Sequence, residues 1–307
     1  MERKSWKNRI FTIITIIFLI SSISISGYFL FRKEQLEKKS IRLEKEYKEI
    51  SNDNAYIEKK NNLEQEINDL NNIESNISKL KIDYFKEIKK LEDEIISGKS
   101  NKKIVYLTFD DGPYYKTYDF LDVLDKYNVN ATFFTIGLGK EKCLDNRNED
   151  CRKLYKEIVE RGNTIANHTY SHLIWNGLYK SPESFITQIK KQEELIKEQT
   201  GVVTKIARFP GGSATAGSKK NAIIDLLRKN GYGWIDWTAQ DGDGGELSGK
   251  DEAWNNFVNS IDSNIEVVLF HDYNDITLQI LPKAIEYLQS KGYTILPLFY
   301  ESNMVNK

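Results

Sequence analysis

Ile104-Val105-Tyr106-Leu107-Thr108-Phe109-Asp110-Asp111-Gly112-Pro113 is the stretch that decides the fold. Residues 104–109 form a short β-prone apolar run bounded by turn residues, the pattern of a buried strand. Two adjacent carboxylates follow at its carboxyl end. Asp-Gly alone is an ordinary turn signal. Successive residues at a strand end nevertheless point in different directions, so one carboxylate can bind a metal while its neighbour faces a substrate.

Downstream, apolar runs at 131–136, 205–209, 232–237, 267–270 and 294–298 alternate with helical patterns at 118–127, 151–161, 182–199, 222–229, 253–261 and 281–291. That alternation predicts an α/β domain with parallel strands over 102–302. In such folds the functional groups collect beyond the carboxyl ends of the strands.

Upstream the texture differs. Residues 28–97 contain neither glycine nor proline, as a long continuous helix requires. Leu63, Ile67, Leu70, Ile73, Ile77, Leu80, Tyr84, Ile88, Leu91 and Ile95 recur at steps of three and four, with Glu and Lys between them. Residues 32–98 therefore read as an amphipathic or coiled-coil stalk able to self-associate. Ser, Asn and Asp between 51 and 55 mark the place where it is expected to break. Ahead of it, a basic leader at 1–9 precedes an uncharged run at 10–31, long enough to span a bilayer as a helix. A retained anchor is favoured over a cleaved signal peptide, because the apolar run continues through Phe31, beyond the small residues Ser24 and Ser26. Either version exports the rest of the chain: on the outer face of the cell membrane if anchored, secreted if cleaved.

Lys+Arg 44 against Asp+Glu 45 leaves a net charge of −1, which excludes the long-range positive field of a nucleic-acid binder. The only cysteines, Cys143 and Cys151, supply no four-thiolate metal site, and in an exported protein a local disulfide between them is expected.

The three histidines carry most of the remaining information. His168 and His172 are four apart and would share one face if that segment were helical. With an aspartate they form a three-ligand set that leaves a zinc ion one open position. His271 ends the apolar run 267–270. Arg208-Phe209-Pro210-Gly211-Gly212-Ser213 joins a rigid proline to two glycines, a loop able to present a backbone N–H to a developing oxyanion. Residues 236–244, Asp-Trp-Thr-Ala-Gln-Asp-Gly-Asp-Gly, are rich in carboxylates and glycine but lack the spacing of an EF-hand.

Taken in order, Thr108-Phe109-Asp110-Asp111-Gly112, His168-Thr169-Tyr170-Ser171-His172, Arg208 to Gly212, the Asp243 region and Leu269-Phe270-His271 resemble the motifs of the NodB-type polysaccharide deacetylases, carbohydrate esterase family 4. The resemblance implies a distorted (β/α) barrel. It implies that Asp111, His168 and His172 hold Zn2+, with Co2+ as another metal the site would take. It makes Asp110 the general base, His271 the general acid, Arg208 the brace of the base and Gly211 the backbone donor to the oxyanion; Pro210 and Leu269 are expected to bind substrate, with Trp237 supplying from a shifted position the aromatic wall that the fourth motif lacks. The fourth motif departs from the usual D-x-x-D-W. Its best register is Gln240-Asp241-Gly242-Asp243-Gly244, leaving Asp243 to tether His271 and no aromatic at 244; a register using Asp236-Trp237 ranks second.

The implied reaction is metal-dependent release of acetate from an N-acetylated glycan. N-acetylglucosamine in peptidoglycan is preferred over chitin-like oligomers, poly-N-acetylglucosamine or acetylxylan. The competing readings are a catalytically idle glycan-binding module on an oligomerising stalk, and a zinc amidase that cuts peptide stems.

Overall fold

A computed structural model describes residues 54–137, 152–300 and 302, with short helical pieces at 38–39 and 41–42. The expected membrane span 10–31 and the Cys143–Cys151 pair lie outside the described residues. Among the described residues no helix is long and apolar enough to cross a membrane.

The chain divides into two compact units, Met1–Glu87 and Ile88–Lys307. Helix α1, Asn54–Ile96, runs for 43 residues without a break, as the absence of Gly and Pro allows. In the first unit, Ile67, Ile73 and Leu80 of its apolar stripe are exposed. In the second unit, Ile88, Glu92 and Ile95 are buried, and the Glu92 carboxylate accepts the Tyr106 hydroxyl.

The second unit alternates strands and helices: β1 Lys103–Asp110, α2 Thr117–Tyr127, β2 Thr132–Thr135, α3 Lys153–Glu160, β3 Thr164–Asn167, α4 Pro182–Thr200, β4 Ile206–Ala207, α5 Lys220–Lys229, β5 Gly233–Trp234, β6 Ala239–Gln240, α6 Lys250–Ser260, β7 Ile265–His271, α7 Asp275–Ser290 and β8 Tyr293–Leu296. All pairings are parallel, in the order β5-β4-β3-β2-β1-β7-β6, with β8 on β1. β7 follows β1 along its length, from Ile104 opposite Ile265 to Asp110 opposite His271. β2 pairs with 108–110 of β1 and β8 with 103–106. β1 is thus central, and its burial accounts for its nearly unbroken apolar run.

The terminal strands β5 and β6 do not pair among the described residues. The sheet is therefore an open, curled half-barrel, the form that the expected distorted (β/α) barrel takes here. β4 and β5 keep only two residues each of the longer runs foreseen, and β3 and β6 were not foreseen. α7 starts at Asp275, ahead of the expected 281, because the Asn274 side chain accepts the N–H groups of Ile276 and Thr277. The helix then carries Pro282 in its interior, where sequence favours placing a proline at a helix start.

Between sheet and helices, Phe109 stacks on Phe133 at 5.0 Å and meets Phe120 and Phe270 at 5.3 and 5.8 Å. A second cluster around Phe185, Phe209 and Trp234 secures α4 and α5. The first core lines β1, β2, β3, β6 and β7 and the second lines β4 and β5, so the loops at their carboxyl ends have fixed origins.

Candidate active site

Three strands and the loops beyond them converge. β1 delivers Asp110 and Asp111, β3 ends one residue before His168, and β7 ends on His271. Asp110 and His271 are direct register partners, so base and acid candidates stand side by side on neighbouring strands.

At Asp111 the backbone turns to φ 71°, a left-handed conformation that rotates its carboxylate away from that of Asp110. The next residue must be small: a Cβ on Gly112 would lie 2.3 Å from Asp272 Oδ2. His168 and His172 are not on a helix, which corrects the conditional reading of their spacing. They sit in a turn after β3, with φ 69° at Thr169 and 52° at His172. Asn167 shapes that turn, its Oδ1 accepting the Thr169 N–H at 3.0 Å.

The turn brings one atom each from Asp111, His168 and His172 within 4.8 Å of one another. His172 Nε2 lies 3.1 Å and His168 Nε2 3.5 Å from Asp111 Oδ1. That oxygen is buried and accepts no hydrogen bond, as expected of an atom kept for a cation. His168 Nδ1 donates to the Arg208 carbonyl at 3.1 Å, leaving Nε2 as the free lone pair. Burial, and then the neighbouring His172, hold His168 well below its usual pKa and therefore neutral. The donor set fits a divalent transition metal with a position left open.

Asp110 is buried, and Arg208 anchors it. Arg208 Nη1 donates to Asp110 Oδ1 at 2.8 Å and to Thr108 Oγ1 at 2.7 Å, while Nε and Nη2 reach the carbonyls of Ile235 and Asp236 at 3.1 Å each. The guanidinium also lies 4.1 Å from the Phe134 ring. Burial raises the Asp110 carboxyl to about 6 despite the lowering influence of Arg208 and His271. A carboxyl titrating there can take up a proton under near-neutral conditions.

His271 Nδ1 lies 2.7 Å from Asp243 Oδ1, and its backbone N–H donates to Asp243 Oδ2 at 2.7 Å. Burial lowers the imidazole, but the Asp243 hydrogen bond and the surrounding carboxylates outweigh it and lift the group to about 9. His271 Nε2 faces the cluster, 3.9 Å from Asp111 Oδ2. Asp236 instead binds Ser213, through N at 3.0 Å and Oγ at 2.6 Å. The carboxylate that reaches His271 is Asp243, and the second-ranked register is set aside.

Gly211 and Gly212, at φ 71° and 82°, carry the loop after β4 past the site. Pro210 is buried and its carbonyl accepts the Tyr179 hydroxyl. The Trp237 ring lies against Gly212, where a Cβ would meet Cη2 at 3.0 Å. Leu269 is buried on β7, opposite Thr108 and Gln240.

Sequence reading missed Asp272, Asp241 and Thr277. Asp272 is wholly buried, accepts the Thr117 hydroxyl and is pushed up to about 7 by burial. Thr277 Oγ1 stands 2.7 Å from both Asp241 Oδ2 and Asp243 Oδ2. Asp272 had the same signal as Asp110, a carboxylate directly past a strand end. Thr277 had none.

A family model described as polysaccharide deacetylase matches residues 97–233. The bifunctional xylanase/deacetylase of Pseudobutyrivibrio xylanivorans is 34% identical over 67% of this chain, which spans only 32% of that protein. A peptidoglycan-N-acetylglucosamine deacetylase of Bacillus cereus is 31% identical over 69% of this chain and 73% of its own length. Among solved structures, the catalytic domain of peptidoglycan N-acetylglucosamine deacetylase from Eubacterium rectale superposes with a TM-score of 0.61 at 33% identity, covering 67% of this chain and 93% of that one.

Proposed function

We propose that this chain, which belongs to the polysaccharide deacetylase family, hydrolyses the N-acetyl group of an extracytoplasmic glycan and releases acetate, with N-acetylglucosamine of peptidoglycan as its substrate. The observation that carries the reading is the placement of Asp110 and His271, register partners on neighbouring strands, within reach of the Asp111, His168 and His172 cluster, with Asp110 Oδ2 3.6 Å from His168 Nε2 and His271 Nε2 3.9 Å from Asp111 Oδ2.

In this reading Asp111, His168 and His172 hold Zn2+. When bound, such an ion lowers the pKa of water and polarises the acetamide carbonyl. Arg208 fixes one oxygen of Asp110 and leaves the other to take the proton of the attacking water. The water oxygen bonds to the carbonyl carbon, and the backbone N–H of Gly211 donates to the resulting oxyanion. His271, held through Nδ1 by Asp243, passes its Nε2 proton to the sugar nitrogen as the C–N bond breaks. Acetate and a free amino sugar leave, and no covalent enzyme intermediate is required.

Residues 10–31 as an anchor and 32–98 as a spacer would hold this unit at the outer face of the cell membrane, within reach of the wall. Peptidoglycan relatives support that substrate. Acetate release from N-acetylated glycan, compared between the wild type and Asp110→Asn, tests the reading. An idle binding module would release none, and an amidase cutting peptide stems would liberate peptide amines instead.

A further inference from the structure

Three tyrosines lead away from the reaction centre on the His271 side. The Tyr273 ring lies 5.3 Å from the His271 imidazole, Tyr114 lies 6.2 Å from Tyr273, and Tyr115 lies 4.9 Å from Tyr114. Burial falls along the strip: His271 is buried, Tyr273 and Tyr114 are half-buried, and Tyr115 is 40% exposed. One end thus touches the acid while the other reaches solvent.

Two links tie the loop after β1 to the loop after β7 and fix the strip. Thr117 Oγ1 accepts the Tyr114 N–H at 2.8 Å and donates to Asp272, the residue between His271 and Tyr273. Lys116 pairs with Asp275 and holds its ammonium 5.5 Å from the Tyr115 ring. Asp272, which the reaction itself does not use, acquires a role as the anchor of this surface.

A substrate residue whose nitrogen faces His271 has its neighbours in the polymer extending past that side chain. The fourth motif places Gly244 there, so close that a Cβ would lie 3.1 Å from His271 Cε1, and it offers no side-chain wall. Tyrosine presents an apolar face for the C–H face of a pyranose and a hydroxyl for its polar rim. We propose that Tyr273, Tyr114 and Tyr115 form a sugar-stacking subsite for the glycan residues next to the one that loses its acetyl group. The subsite rests on the deacetylase reading for the identity of its ligand.

The test uses the full chain with zinc and two probes, the disaccharide and pentasaccharide of N-acetylglucosamine. Tyr115→Ala raises KM for the pentasaccharide by up to roughly tenfold, the scale of one lost aromatic contact, and raises it much less for the disaccharide. Its kcat stays close to the parent value, and Tyr115→Trp restores KM. Calorimetry of pentasaccharide binding to Asp110→Asn, with and without Tyr115→Ala, reads the subsite without turnover. Weaker binding in the double variant supports it even if the wild type releases no acetate, an outcome that would sink the deacetylase reading alone. Equal pentasaccharide KM in wild type and Tyr115→Ala, together with equal binding in the calorimeter, overturns the subsite.

Discussion

Asp243 grips His271 at two points, its Oδ1 lying 2.7 Å from the ring Nδ1 and its Oδ2 accepting the backbone N–H of the same residue at 2.7 Å. The ring is thereby fixed in orientation, with Nε2 turned towards Asp111 and a proton held on the buried nitrogen. Asp243→Asn keeps the shape and removes the charge. Its kcat for acetate release should fall roughly 10²-fold, the lower end of what a positioned acid contributes, with KM little changed. A kcat within about twofold of wild type would mean that His271 works without this partner.

Asp241 lies beside that pair and shares the Thr277 hydroxyl with Asp243. Burial, reinforced by the Asp243 charge, lifts its carboxyl from 3.8 to about 8. A carboxyl with a raised folded-state pKa contributes stability below its unfolded pKa and loses it as pH rises through the folded value. Asp241→Asn should therefore match wild type near pH 4 and gain in relative Tm as pH rises to about 8. A constant Tm difference across that range would show that Asp241 is already ionised throughout it.

Arg208 is wholly buried and reaches from the end of β4 to Thr108 and Asp110 on β1 and to the carbonyls of Ile235 and Asp236. Arg208→Met strands the Asp110 carboxylate and should cost about 3–5 kcal/mol, the scale for breaking one side of a buried pair. Arg208→Lys cannot reproduce the planar fork and recovers only part of that loss. Chemical denaturation measures both. A loss below about 1 kcal/mol for Arg208→Met would show that Asp110 is neutral in the resting protein.

Much of this was legible in the sequence, for identifiable reasons. β1 announced itself because a strand covered on both faces must be apolar throughout, and its terminal carboxylates stood out against that run. Asp243 was reachable through motif register although Gln240 and Gly244 depart from the family pattern. The His168 and His172 spacing suggested a shared face, but the face arises from two left-handed residues, Thr169 and His172, which no periodicity reveals. β6 has two residues and β3 four, too few for alternation to register. Thr277 reaches the Asp241 and Asp243 carboxylates only through the packing of α7, whereas Asp272 carried a readable signal just past the end of β7.

The metal cluster makes a prediction that needs no turnover. Calorimetric titration of Zn2+ into chelator-treated protein should show one tight site, and His172→Ala or Asp111→Ala should abolish it while the far-ultraviolet circular dichroism stays unchanged. Tight binding retained in both variants would move the metal elsewhere.

The most direct test is acetate release from N-acetylglucosamine oligosaccharide by the zinc-loaded wild type and by Asp110→Asn. Wild type should release acetate in step with new sugar amines, and the variant, with its metal ligands intact, should be slower by roughly 10²–10⁴-fold. An Asp110→Asn rate equal to wild type would contradict the account at its centre.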